Sequence, residues 1–192
     1  MTESHSEEFL QLLETTGALL SGHFILRSGL HSRQFFQCAH LLQYPQISSK
    51  VCGWLSVRLA HLEIDSVISP AMGGLFVGHE IARHLGKRHI FVEKEEGNLV
   101  LRRNFEIKQG ERFVVTEDVI TRGGRAMETV EIVRSAGAIP VAVASLVDRS
   151  GGEHSDFGCP LISLLELNVE TFPADDLPAD LTTIPATHPG SK

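Results

Sequence analysis

The stretch Phe113-Val114-Val115-Thr116-Glu117-Asp118-Val119-Ile120-Thr121-Arg122-Gly123-Gly124-Arg125 runs from an apolar segment into two adjacent carboxylates and then into a glycine pair flanked by arginines. The run Phe113 to Val115 is short and apolar enough for a buried strand. In an open parallel sheet the ligand crevice lies beyond the carboxyl ends of the strands, which is where Glu117 and Asp118 fall. Ionised carboxylates there are costly unless water, a metal or donor hydroxyls satisfy them, and a sugar diol would serve both. Thr121 to Arg125 then open a helix over residues 125–136, with Met127, Val130 and Val133 on one side and Gly137 as its stop. Glycines at that point let backbone N–H groups converge on an anion at the positive helix end. Acids for hydroxyls followed by an amide cradle describe a grip on a ribose 5-phosphate. The blander reading of the same residues is a solvated turn after a core strand.

Around this stretch, further short apolar runs stand at Val67-Ile68, Ile90 to Val92, Val141 to Val147 and Leu161 to Leu167. Helices are expected between them at 74–86 and 125–136, so strands and helices alternate as in a parallel α/β sheet. Upstream, Ser4 and Glu7 stand at capping-box spacing before Phe9, Leu12, Leu13 and Leu20, which predicts a docking helix over 4–20. A second helix is expected over 47–62 after the Tyr44-Pro45 break. Residues 93–110 are polar around Gly97-Asn98 and read as a hairpin or flap. From 171 onward Pro173, Pro178, Pro185 and Pro189 predict an extended cover or a frayed tail.

The 192 residues suit one globular domain, with segments 1–42, 63–168 and 172–192 as N-terminal hood, core and tail. The net charge of −7, with no long cationic run, argues against nucleic acid as a partner. Cys38, Cys52 and Cys159 are too few and too scattered for a disulfide framework or a zinc site. No apolar run reaches 18 residues and the start, MTESHSEEF, is acidic, so neither a membrane span nor a signal peptide is expected, and a cytoplasmic location is. His79 and His84 are five apart, off the spacing that puts two ligands on one helix face, so no metal is assigned to histidines.

The 113–125 stretch resembles the phosphoribosyl pyrophosphate (PRPP) signature of the type I phosphoribosyltransferases. That resemblance implies their fold: a mostly parallel twisted sheet flanked by helices, with a small hood from the N-terminal segment and the C-terminal part. It assigns Glu117 and Asp118 to the ribose hydroxyls and Thr121, Arg122, Gly123, Gly124 and Arg125 to the 5-phosphate. Arg122 and Arg125 depart from the small or hydroxyl residues usual there. Residues 22–42, GHFILRSGLHSRQFFQCAHLL, resemble the substrate segment of the orotate phosphoribosyltransferases, implying Arg27 as the cation for the base and Phe35 with Phe36 as its apolar wall. Physically, a flat anionic base wants a guanidinium and an apolar face. His31, in the same segment, has a hydrogen-bonded structural role as its plain alternative.

Residues 65–74 are similar to the family's pyrophosphate loop, with Met72-Gly73 where many members carry a lysine. Leu146 to Arg149 look like the strand end whose arginine bonds orotate, with Thr121 beside it at the base. Lys94, in FVEKEEG, matches the catalytic lysine of the family's flap. Glu93 stands where an arginine usually precedes that lysine, which leaves Arg102 and Arg103 as candidates to compensate. The resemblance implies transfer of the phosphoribosyl group to orotate, giving orotidine 5'-monophosphate and pyrophosphate in pyrimidine biosynthesis, with Lys94 and Asp118 as catalytic residues. It also implies Mg²⁺ bound mainly through PRPP, and a homodimer with the flap shared across the interface. The competing readings are a phosphoribosyltransferase for another base and a noncatalytic PRPP sensor. The Walker-like spacing Gly73 to Gly78 is followed by His79-Glu80, where an NTPase needs Lys-Ser/Thr.

Overall fold

The computed structural model describes residues 3–26 and 28–189, which form two compact units, one contiguous from Tyr44 to Leu167 and one built from residues on either side of it. The contiguous unit opens with α3 (Pro45–Leu59), where Tyr44 is extended and Pro45 takes the first helical position, its fixed φ suited to a start. Then follow β3 (Ser66–Pro70), α4 (Gly73–Leu85), β4 (Arg88–Glu95), β5 (Asn98–Leu101), β6 (Arg112–Ile120), α5 (Gly124–Ser135), β7 (Ile139–Asp148) and β8 (Leu161–Glu166). The strands form one sheet in the order β5-β4-β3-β6-β7-β8, parallel throughout except for the antiparallel β4–β5 hairpin.

The connections decide where the helices go. From β3 the chain crosses through α4 to β4 on one side, and from β6 it crosses through α5 to β7 on the other. Right-handed crossovers running in opposite directions put α4 and α5 on opposite faces of the sheet. Burial agrees: Phe113 and Val115 of β6 join the cluster that holds Val130 and Val133 of α5, whereas Thr116 reaches the helix backbone of α4 at Gly78. A sheet covered on both faces explains why Phe113, Val114 and Val115 are all buried. The order also reverses between β3 and β6, which makes the crevice beyond their carboxyl ends the expected ligand site.

The other unit contains α1 (Glu3–Thr15), β1 (Leu19–Ile25), β2 (His31–Phe36), α2 (Ala39–Leu42), β9 (Thr171–Phe172) and α6 (Ala179–Thr182). One expectation is corrected here. The first helix ends at Thr15 instead of Leu20, because Gly17 turns left-handed (φ 70°) and Leu20 pairs with Phe35 in a β1–β2 hairpin. Of the two readings of the tail, the described residues take the extended one: β9 adds to β2, the amide of Thr187 donates to the His23 carbonyl at 2.9 Å, and the Ile25 amide donates to the Thr187 carbonyl at 2.8 Å. Arg33 holds the tail by charge, with bonds to Asp180 at 2.7 and 2.9 Å and to Glu170 at 2.9 Å, and lies over the Phe172 ring at 4.8 Å. His31, buried, shares a 2.6 Å hydrogen bond with His23, whose Nδ1 lies 2.8 Å from the Ile184 carbonyl. Since a carbonyl only accepts, His23 donates from Nδ1 to Ile184.

Leu181 of α6 is 1% exposed. Leu181→Ala is expected to lower the unfolding free energy by about 2–4 kcal/mol, read from the denaturant midpoint; an unchanged midpoint would mean the tail contributes no packing.

Candidate active site

Strand β6 runs further than its apolar run suggests. Glu117 pairs in register with Ser145 and Val119 with Val147, so the two acids lie within the last four residues of the strand, where Val115 had been expected to end it. The seven-residue run Val141 to Val147 of β7 supplies the partner that carries β6 onward. Both carboxylates therefore stand on rigid backbone at the β3–β6 switch.

The loop between β3 and α4 comes down onto them. A side chain at Gly73 would meet Asp118 Oδ1 at 2.6 Å, and one at Gly74 would meet the Thr116 carbonyl at 2.5 Å and Glu117 Oε1 at 3.1 Å. Only glycine lets the first turn of α4 approach the acids this closely. The Ala71–Met72 peptide is cis, and the Met72 side chain is 71% exposed. Met72 and Gly73 thus stand at the opening of α4, with free helix N–H groups beside the acids.

Among the described residues neither acid forms an ion pair. The amide of Asp118 donates to Glu117 Oε1 at 3.1 Å and that of Val119 to Asp118 Oδ1 at 2.9 Å. Burial pushes the Glu117 carboxyl well above its usual range, the Asp118 charge adds to the shift, and Arg125 only partly offsets it. Burial likewise raises Asp118. These are acids short of donors, matching the expectation that a ligand's hydroxyls complete them.

Beyond β6, Thr121, Arg122 and Gly124 are exposed, and Gly123 caps α5 in the left-handed region (φ 78°). Nothing stands within 4 Å of where a side chain at Gly124 would begin, so the space beside this glycine is open. Arg122 pairs with Glu153 at 3.5 Å. Arg125 pairs with Glu128 at 2.8 Å and reaches the carbonyl of Gly97 at 3.4 Å, linking this turn to the β4–β5 hairpin.

That hairpin turns at Glu96-Gly97, both with positive φ, as the sequence indicated around Gly97-Asn98. Glu93 and Glu95 take the two arginines: Arg103 grips Glu93 through two bonds of 2.8 Å, and Arg102 lies 3.2 Å from Glu95. Lys94, between them on a strand and so on the opposite face, is exposed and has no ion pair among the described residues. Arg102 and Arg103 are thereby committed, and Lys94 is the uncommitted cation of the hairpin.

Arg149 follows β7, its amide donating to the Ile120 carbonyl at 3.0 Å. Its guanidinium is half-buried, has no carboxylate partner among the described residues, and is drawn below its usual range by burial. The neighbouring Asp148 accepts the Ser150 amide at 2.8 Å. In the other unit Phe36 is buried, whereas Phe35 is half-buried with its ring 6.0 Å from that of Phe24. Arg27 lies outside the described residues.

Gly74 closes the 65–74 segment likened to a pyrophosphate loop, and the structure adds its proximity to Thr116 and Glu117. One feature had no sequence signal. Beneath α4, Ser69 Oγ lies 2.7 Å from His89 Nε2, and burial, with His79 nearby, pulls the His89 pKa down to about 4. His89 is therefore neutral at pH 7 and shares a hydrogen bond with the serine at the root of the 71–74 loop.

The raised acids give a signed pH dependence. Between the ordinary glutamate value of about 4.3 and the elevated value in the fold, the folded chain holds a proton that the unfolded chain has released, so stability falls as pH rises through this window. Glu117→Gln removes that cost. The unliganded variant is expected to melt above the parent at pH 8, with the gain shrinking as pH falls toward 4; a gain independent of pH would contradict the burial of the charge.

No protein-family model matches the chain. Curated relatives do: orotate phosphoribosyltransferases from Desulforamulus reducens (46% identical, covering 97% of each chain) and Caldicellulosiruptor bescii (45% identical, covering 98% of each). Among solved structures, the orotate phosphoribosyltransferase of Aeropyrum pernix is similar with a TM-score of 0.70 and 28% identity, over 82% of this chain and 92% of that one. With its type I phosphoribosyltransferase fold and identity at this level along nearly its whole length, the chain belongs to the orotate phosphoribosyltransferase family.

Proposed function

We infer that this chain transfers the 5-phosphoribosyl group of PRPP to orotate, releasing pyrophosphate and forming orotidine 5'-monophosphate on the way to UMP. The observation that carries this reading is the donor-poor pair Glu117 and Asp118, pressed against the Gly73-Gly74 turn and followed three residues on by the exposed, glycine-containing turn that opens α5. The acids accept the ribose 2- and 3-hydroxyls, residues 121–125 hold the 5-phosphate, and the start of α4 at Met72 and Gly73 meets the diphosphate. Glu117 and Asp118 position the sugar and transfer no proton, since orotate is already anionic at neutral pH.

As the bond at C1 breaks, charge develops on the leaving pyrophosphate, and a cation aimed at it lowers the barrier. Lys94 is suited to this because no carboxylate among the described residues claims it. The desolvated Arg149, with no carboxylate partner among the described residues, is suited to the orotate anion, with Thr121 nearby on the same unit; in the other unit Phe35 has the more accessible of the two phenylalanine rings. The described residues hold no cluster of three or more metal-ligating side chains, and the two acids supply hard oxygens only, a donor set that fits Mg²⁺ carried on PRPP oxygens. Bound there, the ion would neutralise diphosphate charge.

The working form in this reading is a cytoplasmic homodimer with the Lys94 hairpin reaching the partner's cleft. Cysteines that form no disulfide among the described residues, and the exposed apolar Met72 and Phe76, support it. No helix among the described residues is long and apolar enough to cross a membrane, and the net charge of −7 leaves no broad basic surface for nucleic acid.

Purified chain mixed with orotate, PRPP and Mg²⁺ is expected to consume orotate, followed by its absorbance; consumption of another base instead would overturn the assignment. Asp118→Asn and Lys94→Ala are each expected to lose about two orders of magnitude in turnover, roughly 3 kcal/mol, with unaltered folding by circular dichroism.

A further inference from the structure

The segment between Arg149 and β8 binds to the 5-phosphate turn at three adjacent points. Glu153 pairs with Arg122 at 3.5 Å. Ser155 donates twice to the Arg122 carbonyl, from its amide at 3.0 Å and from its hydroxyl at 3.0 Å. The ring of Phe157, 1% exposed, lies directly beneath Gly123, where a side chain on that glycine would meet Cζ at 2.6 Å.

The segment is itself fixed. Arg134, in the last turn of α5, donates to the Phe157 carbonyl, the Gly158 amide donates to Asp156 Oδ1 at 2.8 Å, and His154 stacks nearly coplanar on Phe157, with 5.3 Å between ring centres and 4° between planes. Phe157 is thus held from the far end of α5 while supporting its capping residue.

From this geometry we propose that Ser155 and Phe157 are positioning residues for PRPP, holding the Arg122-Gly123 peptide so that the amides of the 5-phosphate turn converge. The proposal rests on residues 121–125 being the phosphate cradle. A carbonyl that accepts two bonds from one residue cannot rotate freely, and its peptide carries the Gly123 amide with it. The ring below Gly123 blocks that glycine from settling inward out of the left-handed region. Neither residue touches the ligand; each acts through Arg122 or Gly123. The segment begins at Arg149, so one short stretch of chain serves both the base-binding arginine and the phosphate turn.

The test is steady-state kinetics together with calorimetric binding of ribose 5-phosphate, comparing the parent with Ser155→Ala, Ser155→Thr and Phe157→Leu. Loss of the hydroxyl bond is expected to raise the KM for PRPP and the Kd for ribose 5-phosphate by about five-fold, the scale of one lost hydrogen bond. The KM for orotate and the melting temperature should stay at parental values, and Ser155→Thr, which keeps the hydroxyl, should restore the parent. Phe157→Leu should weaken ribose 5-phosphate binding further. Equal rises in KM for both substrates, or unchanged ribose 5-phosphate binding in Ser155→Ala and folded Phe157→Leu alike, would overturn the proposal. A parent that binds ribose 5-phosphate without consuming orotate would sink the enzymatic assignment alone and leave this test standing.

Discussion

Two partly buried carboxylates, with no ion pair among the described residues, are the constraint around which the contiguous unit is arranged. Their desolvation is unfavourable in the empty protein, and the fold sustains it because β6 is paired with β7 from Arg112 to Ile120 and with β3 over Phe113 to Val115. The same placement gives the acids their use, since groups short of donors and fixed on a strand discriminate strongly in favour of a ligand that brings hydroxyls in the right geometry. A free energy cost in the resting state thus becomes selectivity in the bound one.

Close backbone approach is the second half of the arrangement. Gly73 and Gly74 allow the amino end of α4 to abut the acids, so the positive end of a helix and two negative groups share one small volume before any ligand arrives. An anionic diphosphate and a diol placed side by side answer both at once, and either alone would leave one half uncompensated.

Much of this was legible in the sequence, for identifiable reasons. Runs such as Ile90 to Val92 and Val141 to Val147 are too short and too apolar for anything but strands in a sheet covered on both faces, and the strand–helix alternation then dictated the topology. Glu117-Asp118 and Gly123-Gly124 were readable because a chemical demand is written into consecutive residues. The extension of β6 past its apolar core was not, because Glu117 to Ile120 owe their strand conformation to pairing with β7, a tertiary effect. Leu20 misled because its spacing from Leu13 fits a helix, while Gly17 breaks it. The roles of Gly74, Ser155 and Phe157 arise from contacts between segments distant in the chain, and the freedom of Lys94 became visible only once Arg102 and Arg103 were seen on Glu95 and Glu93.

The strand β9 has a bearing on how the molecule is made. The central unit is continuous in the chain and can close its sheet as soon as Leu167 has left the ribosome. The β1–β2 hairpin emerges first yet acquires β9, Leu181 and the Thr187 bonds only when the last residues are synthesised. Until then β2 presents an unpaired edge, and the nascent polypeptide must shield it from neighbouring chains. The basic side chain of Arg33, midway along that edge strand, provides such shielding before Asp180 and Glu170 arrive to claim it.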